Sequence, residues 1–502
     1  MKKLVLAILI AIIVIANSVL INPVRAETTV NGIITSDVTW TKANSPYTFQ
    51  GPVAVDRGVT LTIESGISIN INNYYLQVNG TLIARGTNND RIMFTAANQD
   101  PNNPWLRQAR IDFTTAGSNS MLENVIFPDF ISVSASILVS KCIVPEVEIK
   151  AGTPTISDCS ITKLTISDGS PLIRNNDITG EFTQIKGTPT INANTIHSKP
   201  WTRGGSPTFI GNKLYDGIDA DSSGGQITIA NNEISSSGTS YVILIVGRVQ
   251  AVVSNNKITG VSNVIGIGSS GILSSVTITQ NQISGCNIAI NLDMTTSEVT
   301  KNTLTNNSIG LNLVLGPAMA QASGEFAKIP YANVHDNTIL QNSIGLQITP
   351  YEGSQVNNNN IYDNSKFDLK LQSASDYTIA NNYWGTTDTA AISQKIFDFK
   401  NDFNLGHVTV TPVLSQPVSQ FTPNFSAPVS TLLPIVTLTP IPVANTATPG
   451  PTQNNPTSTT NQPTTGIPFD LSTTELAILG VLIIIAALLV ILIVTLRGRG
   501  KK

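Results

Sequence analysis

Four stretches of this 502-residue chain nearly repeat one another. GTPTISDCSI begins at Gly152, GSPLIRNNDI at Gly169, GTPTINANTI at Gly187 and GSPTFIGNKL at Gly205. The spacings are 17, 18 and 18 residues (169−152, 187−169, 205−187). Units of this size hold only about two or three short strands and cannot each close a core, so neighbours must bury one another's apolar faces. Within the units Ile, Val and Thr alternate with polar residues, as in KLTIS and SVTITQN, which is the pattern of a strand with one buried face. Gly, Asn, Asp and Ser punctuate the strands where tight turns belong. No stretch between Gly32 and Pro412 sustains a helical period, which excludes a helical solenoid.

One column, Asn-x-Ile/Leu, runs through most of the chain: Asn176/Ile178, Asn194/Ile196, Asn212/Leu214, Asn232/Ile234, Asn256/Ile258, Asn281/Ile283, Asn302/Leu304, Asn337/Ile339 and Asn359/Ile361. It extends upstream to Cys159/Ile161, Cys142/Val144 and Asn124/Ile126, and downstream to Asn382/Trp384. Most later steps take 20 to 25 residues, and the step from Leu304 to Ile339 takes 35. If each unit is one coil, equivalent strands stack in parallel about 4.8 Å apart and the column repeats one rung higher. The apolar members then form an inner stack, with Trp384 capping it. The asparagines form a ladder of amides that satisfies turn groups otherwise buried unpaired. Gly-Thr/Ser-Pro fits the preceding corner, where Pro fixes φ and donates nothing. Longer rungs are insertions at corners, and LGPAMAQASGEFAKIPYAN is the longest.

Two further stretches carry a family resemblance. The region NSPYTFQGPVAVDRGVTLTIESGISININNYYLQVNGTLIARGTNNDRIMFTA resembles the opening coils, and ANNYWGTTDTAAISQKIFDFKNDFNLGHVTVTPVL the closing unit, of the right-handed parallel β-helix superfamily of pectate-lyase-like and NosD-like extracellular proteins. The resemblance covers roughly Gly32 to Leu414 and implies an all-β, right-handed parallel β-helix solenoid. It leaves activity open, because the superfamily mixes lyases, hydrolases, epimerases, adhesins and accessory proteins.

The ends suggest display outside a membrane. Residues 1–26 read as a secretory signal, with Lys2 and Lys3 before an apolar run and Val24-Arg25-Ala26 as the cleavage site; a retained anchor is the alternative. The solenoid is expected over 27–414, a Pro/Thr-rich stalk over 415–470, a transmembrane helix over 475–496 and a basic cytoplasmic tail over 497–502. Sequons stand at Asn79, Asn306 and Asn424. A formal charge of −3 with 12% charged residues lacks the basic footprint of a nucleic-acid partner.

Chemistry is sparser. A lyase of this fold would need acidic residues for Ca²⁺ and a Lys or Arg base, and a glycosidase would need paired carboxylates. The nearest candidate is LYDGIDADSSGG, with Asp216, Asp219 and Asp221. Adding 18 aligns Glu181 with Lys199, Trp201 with Asp219 and Arg203 with Asp221. One side of the rod could then gather Trp201, Lys199, Arg203, Tyr215, Asp219 and Asp221, an aromatic face beside charges that suits a sugar. Ordinary cross-rung ion pairs would explain the same charges. Ca²⁺ at Asp216–Asp221 would need more oxygen ligands than this spacing guarantees. His197, His335 and His407 are scattered and show no metal-ligand spacing. Cys142 and Cys159 fall on adjacent rungs, near enough for a disulfide but equally compatible with two stacked thiols. The expectation is a surface-anchored, non-catalytic carbohydrate-binding, adhesion or cell-envelope protein whose partner is a polysaccharide or cell-envelope glycan and which needs no cofactor unless Ca²⁺ binds; the alternative is a displayed polysaccharide lyase or glycoside hydrolase.

Overall fold

The computed structural model describes residues 27–419 apart from 97–108, 116, 128, 223, 237, 239, 272–273, 315–329 and 351–352. The leader, the stalk beyond residue 419, the 475–496 span and the basic tail lie outside the described residues, as does most of the long insertion. Among the described residues no helix is long and apolar enough to cross a membrane.

The body is an all-β parallel solenoid. One coil runs through Leu172–Arg174, Asp177–Ile178 and Phe182–Gln184, the next through Thr190–Asn192, Thr195–Ile196 and Trp201–Thr202. These three strands define a first, second and third face. The first-face strands form a 15-stranded sheet, and the other two faces share a 29-stranded one. Register is parallel from coil to coil: Ile156, Ile173, Ile191, Phe209 and Ile229 stack directly on the first face. On the second face Ile161, Ile178, Ile196, Leu214 and Ile234 do the same, as the spacing predicts. All of these side chains are buried. Each contributes about 1.5–3 kcal/mol of apolar burial, offset by the entropy of ordering its rung.

The first and second faces meet at a one-residue turn in the left-handed region. Asp158, Asn175, Ala193, Asn231 and Asn255 hold φ between 52° and 57° there, a conformation that short polar residues tolerate best. The next residue is the ladder position. Asn194 Oδ1 accepts from the backbone N–H of Asn176 at 2.8 Å and from its Nδ2 at 3.0 Å, while Asn194 Nδ2 donates to Ile173 O and to Asn212 Oδ1. The same pattern climbs through Asn232, Asn256, Asn281, Asn302, Asn337 and Asn359 to Asn382.

The predicted upstream extension holds at Cys159/Ile161 and Cys142/Val144 and is off by one residue at Asn124/Ile126. Ile126 pairs with Ile143 rather than Val144, so Asn124, with φ of 51°, occupies the turn position that Lys141 holds one coil on. Val125 takes the ladder rung and Phe127 the core position. Cys142 and Cys159 are buried free thiols, which settles their alternative against a disulfide. The Cys142 N–H donates to Cys159 Sγ at 3.4 Å, so sulfur stands in for the amide oxygen. Burial pushes the Cys142 thiol well above its usual range.

The Gly-Thr/Ser-Pro corner is set by close approach. Gly152, Gly169, Gly187 and Gly205 all have positive φ, and each carbonyl accepts from the chain one coil higher: Ser170 N–H to Gly152 O at 2.9 Å, Thr188 N–H to Gly169 O at 2.9 Å and Ser206 N–H to Gly187 O at 2.8 Å. A Cβ on Gly187 would lie 2.0 Å from Gly169 O. The Pro two residues on is buried at Pro154, Pro171, Pro189 and Pro207.

A second amide ladder occupies the corner between the second and third faces. Asn307 Oδ1 accepts from the Cys286 N–H, Asn342 from Asn307, and Asn364 from Asn342. It ends on a carboxylate: Asn364 Nδ2 donates to Asp368 Oδ1 at 2.8 Å. Burial raises the Asp368 pKa, against the opposing effect of two Asn364 hydrogen bonds and the Lys395 charge; Asp363 adds to the rise. Ionising Asp368 is thus harder in the folded chain than in the unfolded one. The stability it lends is complete below the ordinary carboxylate pKa and is lost as pH rises through that value to the raised one. Asp368→Asn keeps the Oδ1 acceptor without a buried charge. Thermal melts across pH should show the variant more stable than the parent at pH 7 and level with it in acid; a variant less stable at pH 7 would contradict this account.

Trp384 is buried over the last core position, as the sequence predicts, and the short helix Thr389–Gln394, capped by the Asp388 carboxylate on Ala390 N–H, covers the final coil. The chain then turns back along the second face, where Asn360 Oδ1 accepts from Val418 N–H at 2.8 Å and Asn360 Nδ2 donates to Val418 O at 2.9 Å.

Candidate functional site

The third face positions most of the candidate residues. Trp201 and Asp219 stand opposite each other in register, as the 18-residue period predicts. Alternation puts Thr202 and Ala220 inside, leaving Trp201, Arg203, Asp219 and Asp221 outside. Trp201 is 39% exposed. The Arg203 guanidinium lies 3.6 Å from the centroid of its ring, a cation–π stack, rather than pairing with Asp221 as expected. Lys199 is largely buried at the corner below. Its Nζ lies 2.9 Å from Asp219 Oδ1, and its directed hydrogen bond goes to Tyr241 O at 2.8 Å. The expected Glu181–Lys199 pair is absent, because Glu181 reaches Lys163 at 3.1 Å. Lys199 is instead drawn up to Asp219 and Tyr241 of the coils above.

Tyr215 belongs elsewhere. It follows the second-face strand Lys213–Leu214, stacks on His197 at 5.1 Å and carries Lys213 Nζ 5.1 Å from its centroid. His197 Nε2 in turn meets Asp177 Oδ1 at 2.8 Å. The period places Tyr215 in the right coil but not on the right face. The sequence candidates therefore form a Trp201–Arg203 platform beside Lys199–Asp219, and a separate Tyr215–His197 platform.

His335 lies on the first face, where Nε2 meets Glu298 and Nδ1 meets Asp336 at 2.9 Å. Burial would lower its pKa, but hydrogen bonds to both carboxylates outweigh burial and raise it. Among the described residues no three His, Cys, Asp or Glu side chains gather as a metal site.

The comparisons with known proteins bear on this geometry. Residues 216–384 match the family model described as a right handed beta helix region, and residues 32–105 match the one described as a pectate-lyase like beta helix domain. The chain is a right-handed parallel β-helix protein. No curated protein and no solved structure matches it. Within this β-helix, sequence reasoning missed the outward residues of the later third-face strands. Above Asp219 the same outer column continues through Leu244, Gly268, Asn291, Asn312, Gln347 and Lys370. The recurring pattern IGIGSS, IAINLD, IGLNLV and IGLQI was the available signal.

Proposed function

We propose that this β-helix is held outside a cell membrane and binds polysaccharide on its third face without cleaving it. The observation that carries the reading is the Trp201–Arg203 stack, an exposed aromatic platform on a rigid outer column. A pyranose places its apolar face on such a ring and its hydroxyls on the charged rim. Asp219 is engaged by Lys199, which suits rim binding better than proton abstraction. Display rests on the uncharged run Leu476–Leu496, the cationic residues after it, and the Pro/Thr-rich segment before it.

The test is retention of the full-length chain on a panel of polysaccharides, with chain ends assayed in the same samples. Trp201→Ala should weaken retention about tenfold, the worth of one good stacking contact, and Asp219→Asn should leave it within about twofold. New chain ends that vanish with Asp219→Asn would replace the binding reading with the lyase or hydrolase alternative.

A further inference from the structure

The later third-face strands, Tyr241–Gly247, Ile265–Ser270, Ile288–Asp293, Ile309–Val314, Ile344–Ile348 and Phe367–Leu371, carry two outward columns with a distinctive chemistry. One is apolar: Ile265, Ile288, Ile309 and Ile344 stack in register between Tyr241 below and Phe367 above. These isoleucines are half-buried, so they form a low flat stripe. Beside it runs a column of amides. Asn312 Nδ2 donates to Asn291 Oδ1 at 2.7 Å, and Gln347 Nε2 donates to Asn312 Oδ1 at 3.0 Å. This fixes the amides edge to edge, with Asn312 itself buried between its neighbours, and among the described residues leaves Asn291 Nδ2 and Gln347 Oε1 unspent at its two ends. Unlike the two interior ladders, this one satisfies no backbone turn.

Charge is nearly absent. Within these six strands the outward charged side chains are Asp293 and Lys370, and the Lys370 ammonium lies 5.5 Å from the centroid of Phe397. A polyuronate lying here would strip water from its carboxylates with one cation at the end of the strip and an aspartate at its side, an uncompensated cost. A neutral polysaccharide pays no such cost. Its C–H faces match the isoleucine stripe, and its hydroxyls both donate and accept, matching the unspent amide groups. Because the two free amide groups stand two rungs apart, about 10 Å along the stack, a ligand must run along the rod to meet both.

We infer that the third face from Ile265 to Gln347 is a binding strip for an extended neutral polysaccharide, with its chain parallel to the rod axis, and that the strip discriminates against acidic glycans. The inference rests on the glycan-binding reading above and names its ligand class.

The experiment measures binding of the full-length chain to a soluble neutral β-1,4-glucan and to polygalacturonate at equal chain length. The parent should bind the glucan at least about tenfold more tightly. The pair Asn291→Asp and Gln347→Glu, which makes the strip acidic, should weaken glucan binding about tenfold, with Glu233→Gln on the second face as the unaffected control. If the acidic pair does not fold, Asn291→Ala, which removes only the free donor, should still weaken it about threefold. Equal or tighter binding of polygalacturonate overturns the inference. So does glucan binding that is lost with Trp201→Ala but untouched by every strip variant, which leaves the Trp201 platform standing alone. A parent that retains neither glycan overturns both readings. A shift in sedimentation of the ligand-free chain on mutating the strip would make it a self-association face and also overturn the inference.

Discussion

Asn256→Ala should destabilise the protein by about 3–5 kcal/mol in urea unfolding, with no loss of secondary structure below the transition. Asn256 is fully buried, and its Oδ1 accepts from both the backbone N–H of Asn232 at 2.9 Å and Asn232 Nδ2 at 3.0 Å. Its own Nδ2 donates to Ile229 O at 2.8 Å and Asn281 Oδ1 at 2.9 Å. The substitution strands the Asn232 N–H in the interior, where an unsatisfied donor costs about 1–3 kcal/mol, and leaves a cavity besides. Asn256→Cys should cost less, because sulfur accepts the backbone N–H at Cys159 already. A solenoid distributes its stability between neighbouring coils, so amide exchange should accelerate first around Asn232 and Asn281. A loss under about 1 kcal/mol for the alanine variant would show that water replaces the amide and that the ladder is not what holds this corner.

Gly187→Ala should be as damaging, for a different reason. Gly187 has φ of 87°, and an added Cβ would meet Gly169 O at 2.0 Å and Gly169 N at 2.8 Å. Both are backbone atoms of the coil below, so no side-chain rotation relieves the clash. The coils must part at a corner where Thr188 N–H bonds Gly169 O at 2.9 Å. Gly32 supplies the control: its φ is 80° and nothing lies within 4 Å of an added Cβ. Gly32→Ala should cost only the left-handed conformation, about 1–2 kcal/mol, and Gly187→Ala at least about twice that. Equal urea midpoints for the two variants would refute close approach as the reason for the glycine.

Periodicity made much of this legible. The Asn and Ile columns, the glycine corner and the Trp384 cap all follow from counting, because stacking forces the same residue type onto every rung. Counting failed where it needed an angle. The spacing of 18 put Trp201 over Asp219 correctly, yet Tyr215 sits on another face, because a period along the axis does not say where the coil bends. It failed also at Asn124, where a polar residue at the turn position resembled a ladder residue one place on. The second ladder at Asn307, Asn342 and Asn364 obeys the same rule as the first, a left-handed residue followed by an amide. It escaped because it starts late and spans the 35-residue step. The outward amides of the third face were hidden for a related reason: Asn291, Asn312 and Gln347 align only once strand register is known across unequal coils.

The main ladder has a sense of direction. In every link from Asn176 to Asn382 the NH₂ group of one residue faces the oxygen of the next, toward the C-terminus. An amide turned end for end would set donor against donor on one side and acceptor against acceptor on the other. No member can reverse alone, and a fault begun at one coil ends only where the file of amides ends, at the Cys159 rung below Asn176 or beyond Asn382. The side-chain dipoles are therefore polarised as a single file along the rod, and two coils that never touch share one orientation.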